Sequence, residues 1–208
     1  MAHKTMINGT AYNLTGGKTI LNGSSYNIIE GKTFMNGTKY NLIFKGKPTA
    51  MLYSDGDFVF QYGNKVETGK TLIANYTGFE DKAYSSASNV PWNSNMINIK
   101  NVYFKNEISP ISLDQWFYKA QNMTSFNTTN LNIENVTSMI NTYYFCGNLT
   151  GSPICGNNVI NMWSTYCNCY KLTGSPVCGD KVTMMYQTYY NCTNLTGAPV
   201  CGVNVTNM

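Results

Sequence analysis

Arginine is absent: all 14 basic side chains are lysine. The planar fork that grips phosphates and base edges bidentately is therefore missing. Residues 1–48 hold six of the lysines against a single acid, Glu30, within a net charge of +4, but these lysines are dispersed. They fit solvated strand edges, where lysine discourages edge pairing, better than a nucleic-acid patch. Histidine occurs once, at His3, so a Ser–His–Asp set is excluded and a nucleophilic cysteine would have no imidazole base. Neither a GxGxxG nor a P-loop pattern occurs, and no cofactor is expected. No apolar run approaches the roughly 18–20 residues that span a bilayer, so membrane insertion is not expected. The opening MAHKTMINGT lacks the apolar core of a Sec signal peptide. Acids are also few: from Ala120 onward the only charged residues are Glu134, Lys171, Asp180 and Lys181. Glycosidase-type carboxylate pairs would have to come from Asp55, Asp57, Glu67, Glu80 and Asp81, which read as turn residues. Asp55 and Asp57 also lack the ligand spacing of a twelve-residue calcium loop.

What the chain does have is self-similarity. From Val136 it reads VTSMINTYYFCGNLTGSPICGNN, VINMWSTYCNCYKLTGSPVCGDK and VTMMYQTYYNCTNLTGAPVCGVN, three units of 23 residues, and then VTNM. One such unit cannot bury its own apolar face, so neighbours must stack and like residues must form columns. The columns are Leu149/Leu172/Leu195, Val159/Val182/Val205 and Ile154/Val177/Val200. An earlier, longer copy places WFYKAQNMT, from Trp116, a full 26 residues before TYYFCGNLT. The seven-residue stretches that run from Met139, Met162 and Met185 to the next cysteine suit either irregular helix or a tight loop. Chain termination at Met208, four residues into another unit, leads to the expectation that the native chain continues, is covered by a partner, or frays.

The N-terminal part carries a second repeat, KTMINGTAYNLTGG, KTILNGSSYNIIEG and KTFMNGTKYNLIFK, with a period of 14. Asn8-Gly9, Asn22-Gly23 and Asn36-Gly37 predict type I′ hairpin turns, and Gly16-Gly17, Glu30-Gly31 and Lys45-Gly46 predict the return turns. Ile7, Tyr12, Leu14, Leu21, Tyr26, Ile28, Met35, Tyr40 and Leu42 would share one apolar face. Such a small sheet is marginal alone, which predicts packing on a partner or trimerisation. Between the repeats, Met51–Tyr53 and Phe58–Tyr62 predict a hairpin, Thr71–Tyr76 a strand, and the alternation from Ile97 to Phe104 another.

WFYKAQNMTSFNTTNLNIENVTSM and the units after it resemble the BspA-type leucine-rich repeat, over about 97–208. Cys146, Cys169 and Cys192, then Leu149, Leu172 and Leu195, then Val136, Val159, Val182 and Val205, then Met139, Met162, Met185 and Met208 fall on that family's motif positions. The segments TGSPIC, TGSPVC and TGAPVC depart from it, being three residues shorter than its usual strand. Pro153, Pro176 and Pro199 cannot donate to a ladder and should lie at or outside a strand's start. The 14-residue hairpins resemble segments of bacteriophage and prophage structural proteins. The expected fold is mainly β: hairpin repeats over 1–47, a β-rich connector capping the solenoid over 48–96, and a leucine-rich-repeat solenoid with short helical turns over 97–208.

Six of the seven cysteines form two columns, Cys146/Cys169/Cys192 and Cys155/Cys178/Cys201, with Cys167 extra. Buried free thiols lead the reading, because cysteine packs as a small hydrophobe and no export signal is seen. Intra-repeat disulfides or a metal cluster remain the alternatives. Tyr143, Tyr144, Trp163, Tyr166, Tyr186, Tyr189 and Tyr190 stand among Asn, Thr and Ser, a mixture suited to an adaptable recognition surface. The resemblances together imply a non-enzymatic virion component, such as a head or tail fibre or decoration protein. Its hairpins would join other virion proteins, as a homo-oligomer with a trimer favoured, and its solenoid would meet a host-surface protein or glycan. A bacterial cell-surface or secreted adhesin is the alternative, and a carbohydrate-active enzyme stands third.

Overall fold

A computed structural model describes residues 47–197 and 202–208 in full and, within the first 46, the backbone of the strands alone. The chain is mainly β and divides into two compact units, Met1–Pro48 and Thr49–Met208.

In the first unit, β1 (His3–Ile7), β2 (Thr10–Thr15), β3 (Lys18–Leu21), β4 (Ser24–Ile28) and β7 (Phe44–Lys45) form one sheet in that order. β5 (Lys32–Met35) and β6 (Thr38–Asn41) pair separately. Ile7 lies opposite Thr10, Leu21 opposite Ser24 and Met35 opposite Thr38, all antiparallel, so each Asn-Gly pair falls between two paired strands. The Asn-Gly and return turns themselves, and the side chains of the expected apolar face from Ile7 to Leu42, lie outside the described residues.

The second unit begins with a mixed five-stranded sheet, ordered β10 (Leu72–Thr77), β8 (Pro48–Tyr53), β9 (Asp57–Tyr62), β11 (Asn101–Phe104) and β12 (Ser125–Phe126). β8 and β9 are buried on both faces, which explains their unbroken apolar runs AMLY and FVF. β11 runs parallel to both β9 and β12, and its pairing with β9 brings residues 44 positions apart into register. The polar Tyr84–Asn95 stretch ends in two short 3₁₀ turns, Ala87–Asn89 and Asn93–Asn98. Between them the fully buried Trp92 enters an aromatic cluster with Phe58, Phe60, Phe79 and Trp116, with ring centroids 5.3–5.7 Å apart. This cluster closes one end of a single core that continues through Met123, Val136, Met139, Leu149, Val159, Leu172 and Val182.

Beyond Phe104, apart from the two-residue β12, regular strand gives way to turns, and the hydrogen bonding becomes periodic. The amides of Met139, Asn141, Tyr143 and Phe145 donate to the carbonyls of Asn161, Trp163, Thr165 and Cys167, each 22 positions ahead. The intervening amides of Thr142, Tyr144 and Cys146 turn back to the carbonyls of Met139, Asn141 and Tyr143. Met162, Ser164, Tyr166 and Asn168 repeat the pattern with Met184, Tyr186, Thr188 and Tyr190. The seven-residue stretches are therefore runs of tight turns, not helix. Their alternating amide directions require left-handed residues: Asn141, Ser164 and Gln187 in one column and Phe145, Asn168 and Asn191 in another have φ between 50° and 61°. Isolated parallel bridges join Ser138, Asn161, Met184 and Asn207. The stretches after Pro153 and Pro176 form no strand, in keeping with a proline that lacks the amide a ladder needs. The preceding glycines, Gly151 and Gly174, take φ of 94° and 83°. Gly179 answers a different demand: a Cβ there would lie 2.9 Å from the carbonyl oxygen of Gly156, in the neighbouring unit.

Candidate functional site

The adjacent aromatics of the tight turns go to opposite sides of the backbone. Tyr143 and Tyr166 are buried, each 1% exposed, and Tyr189 is half-buried. With Phe117 they form one column of near-parallel rings: Phe117–Tyr143 5.8 Å, Tyr143–Tyr166 5.0 Å and Tyr166–Tyr189 5.5 Å, tilted by 12° or less. Tyr143 and Tyr166 are thus core residues rather than the ligand-facing ones expected, and Tyr189 packs half-buried against the same core. The hydroxyls of Tyr166 and Tyr189 clamp the backbone twelve residues earlier. Tyr166 accepts from the Ile154 amide at 2.8 Å and donates to its carbonyl at 2.9 Å; Tyr189 holds Val177 at 3.0 and 2.6 Å in the same way. The matching residue for Tyr143 is Leu131, whose amide donates instead to Thr128. The three additional residues of the longer first copy reroute that segment and leave the buried Tyr143 hydroxyl without a hydrogen-bond partner.

Trp163, Tyr186 and Tyr190 are exposed, by 40%, 38% and 55%, and Tyr144 is half-buried. Trp163 and Tyr186 occupy the position of Ile140, with ring centroids 5.0 Å apart and planes at 58°. Tyr144 stacks flat on Tyr118 at 5.0 Å, and Tyr170, exposed by 40%, meets Phe145 edge-on at 6.3 Å. Tyr118 and Tyr170 were not among the sequence candidates. Amides lie beside these rings: Asn191 donates to Asn168 at 2.9 Å, and the Tyr170 hydroxyl donates to the same Asn168 oxygen at 3.4 Å.

No family model, curated protein or solved structure matches the chain. The surface must therefore be read from its own chemistry. It offers aromatic faces and neutral amides, and no charged residue occurs from 139 to 170 or from 182 to 208.

Behind that surface the six described thiols are free. Cys146, Cys169 and Cys192 donate to the carbonyls of Phe117, Tyr143 and Tyr166 at 3.0, 3.1 and 2.9 Å, so each sulfur links one unit to the preceding one. Burial pushes the Cys146 and Cys169 thiols far up and raises Cys192 to about 11. Cys155 and Cys178, half-buried, accept from the amides of Gly179 and Gly202, and burial raises Cys155 to about 11. Cys201 lies outside the described residues. Among the described residues no group of three or more His, Cys, Asp or Glu side chains is placed to hold a metal ion, and no helix is long and apolar enough to cross a membrane. Thr142, Thr165 and Thr188 make a further buried column. Each hydroxyl reaches the carbonyl three residues back and one in the preceding copy, as in Thr165 to Met162 at 2.8 Å and to Met139 at 2.7 Å.

Two other features are polar. Asp55, Asp57 and Glu67 converge on Lys70, and Glu67 also pairs with Lys105 at 2.6 Å. Tyr103 donates to Asp57 at 3.1 Å, and burial together with the charges of Asp57 and Glu67 raises it to about 12. Burial pushes the Asp57 carboxyl up, but hydrogen bonds from Lys70, Asn101 and Tyr103 outweigh it and hold the group below its ordinary value. Every acid in this cluster has a cationic or hydroxyl partner, the arrangement of a structural clasp. An open cleft of about 710 Å³ lies between 130–135 and 155–158, lined by Glu107, Asn132, Glu134, Cys155 and Asn158.

Proposed function

We propose that the chain is a non-enzymatic structural and binding protein of a bacteriophage virion, whose region 97–208 is a solenoid resembling the BspA-type leucine-rich repeat. On this reading the hairpin repeats join other virion proteins and the solenoid presents its aromatic turn surface to a ligand on the host or in the environment. The observation that carries it is the exposed aromatic set Trp163, Tyr186 and Tyr190, held on a backbone whose alternate amides are tied to the neighbouring unit. Large apolar rings left in water at the same positions of successive units mark an interaction surface. The rigidity suits binding, since rings already fixed lose little entropy when they are covered.

The test is binding of the fluorescently labelled chain to intact bacterial cells, with immunogold labelling of phage particles. Saturable cell binding that falls when Trp163, Tyr186 and Tyr190 are changed together to alanine is expected, with gold on the particles. Unlabelled particles would remove the virion placement, and absence of saturable cell binding would remove the attachment role.

A further inference from the structure

We infer that the Trp163–Tyr186 surface binds a neutral polysaccharide chain. This rests on the attachment reading above and names its ligand. Three observations select the class. First, the stretches 139–170 and 182–208, which carry the surface, contain no charged residue. Nucleic acids and acidic glycans are held chiefly through cationic side chains, so a polyanion would find nothing to neutralise there. Second, the exposed groups are the faces of Trp163, Tyr186 and Tyr190, with the exposed amide side chains of Gln187 and Asn191 following Tyr186 and Tyr190 in the chain. The axial C–H faces of a pyranose pack on aromatic rings, while its hydroxyls exchange hydrogen bonds with amides, which both donate and accept. Third, none of the three described cavities takes in any of these three rings. Rings displayed on an open surface meet successive sugars of a polymer along its length, whereas a small molecule needs enclosure.

The face also repeats along the array. Trp163 and Tyr186 are equivalent positions of consecutive units, with centroids 5.0 Å apart. With their planes at 58°, the two rings form one bent apolar platform that a sugar chain following the array can cover. The rings of Tyr118 and Tyr144, stacked flat on each other, have used their facing surfaces and make a poorer platform. Trp163 is thereby the residue on which the surface centres.

The experiment uses the indole as reporter. Of the three tryptophans, Trp92 and Trp116 are 0% exposed and Trp163 is 40% exposed, so acrylamide quenching reports on Trp163. The full chain is titrated with soluble neutral polymers (mannan, dextran, galactan) and with the anionic polymers alginate and heparin, at low and high salt. Affinity electrophoresis in the same polymers measures the variants W163A, Y186A and the ring-retaining W163F. The expected result is that at least one neutral polymer shields Trp163 from quenching with an affinity that high salt leaves unchanged. W163A should weaken it on the order of tenfold or more, and W163F by much less. The buried Trp92 and Trp116 emission shows whether each variant is folded. Binding confined to anionic polymers and lost at high salt overturns the neutral-glycan assignment. Cell binding that persists in W163A with Y186A, with no polymer shielding Trp163, overturns this site but leaves attachment standing. Failure to bind both polymers and cells overturns both readings.

Discussion

Replacing Tyr143 and Tyr166 one at a time by phenylalanine removes the same atom from two stacked rings, and the structure assigns opposite signs to the result. The Tyr166 hydroxyl serves both the amide and the carbonyl of Ile154, at 2.8 and 2.9 Å. Its loss removes two hydrogen bonds and leaves two backbone groups short of a partner, a cost of about 1–3 kcal/mol. In a unit of this size that lowers Tm by roughly 3–9 °C. The Tyr143 hydroxyl is buried with no hydrogen-bond partner, because the three-residue insertion of the first copy sends Leu131 to Thr128. An unsatisfied hydroxyl already carries its desolvation cost of about 1–3 kcal/mol, so Tyr143→Phe should be neutral or raise Tm. Both rings keep their stacking, and neither variant opens a large cavity, so the comparison isolates the hydroxyl. Urea unfolding followed by near-ultraviolet circular dichroism, with scanning calorimetry for Tm, makes the measurement. Equal destabilisation by the two substitutions would refute the argument that the insertion breaks the clamp in the first copy alone.

The threonine column gives a coupling prediction. Thr165→Val should cost about 1 kcal/mol, because Met139 and Met162 each keep a second hydroxyl donor in Thr142 and Thr188. Adding Thr142→Val strips Met139 of both, so the double variant should lose more than the two single losses combined; strict additivity, read from urea unfolding, would contradict the shared-carbonyl geometry. At the Lys70 clasp, Asp55 and Asp57 both lie below their ordinary value of 3.8, Asp55 chiefly through its hydrogen bond from Lys70. Lowered carboxyls stabilise the fold above that value and cease to as pH falls through their folded values, so wild type should lose stability below about pH 4. Lys70→Met should be destabilised at neutral pH and should recover relative to wild type in acid. Asp114 moves the other way, since burial raises it despite hydrogen bonds from Ser138 and the Ile140 amide. A raised carboxyl costs stability as pH rises above its unfolded value, so Asp114→Asn, which keeps the acceptor oxygen, should be neutral or stabilising at pH 7 by thermal unfolding. For the thiols, native protein at pH 7 should react slowly with a disulfide reagent, and all seven should react after unfolding without reductant; fewer would point to disulfides.

Much of this organisation was written locally. The periods of 14 and 23 residues, and the strands β8 to β10, are visible because turn chemistry and apolar alternation act over a few residues, whereas of the strand expected over Ile97 to Phe104 only β11 forms, since a 3₁₀ turn occupies Asn93–Asn98. The division of the tyrosines into core and surface was partly legible as well. The 143/166/189 column is tyrosine in every unit, whereas 140/163/186, exposed at its last two members, reads Ile, Trp, Tyr. A column constrained by ring-on-ring packing admits one residue, and a column in water admits several. The left-handed residues were not legible, because Ser164 and Gln187 take that conformation to satisfy amides of a segment 22 positions away. The Lys70 clasp was hidden for a related reason: Asp57, Glu67, Lys70, Tyr103 and Lys105 come from segments that meet only once β11 has paired with β9.

The alternating amides of the tight turns have a consequence for how such a protein changes over time. Since each unit accepts from the one before and donates to the one after at equivalent atoms, removing residues 159–181 would set the amides of 139, 141, 143 and 145 against Met184, Tyr186, Thr188 and Tyr190, which already serve as acceptors. The array behaves like a ruler graduated in units of 23 residues. Unequal recombination between such similar segments would shorten or lengthen it by whole graduations, altering how many exposed rings are offered while keeping the backbone bonds between units.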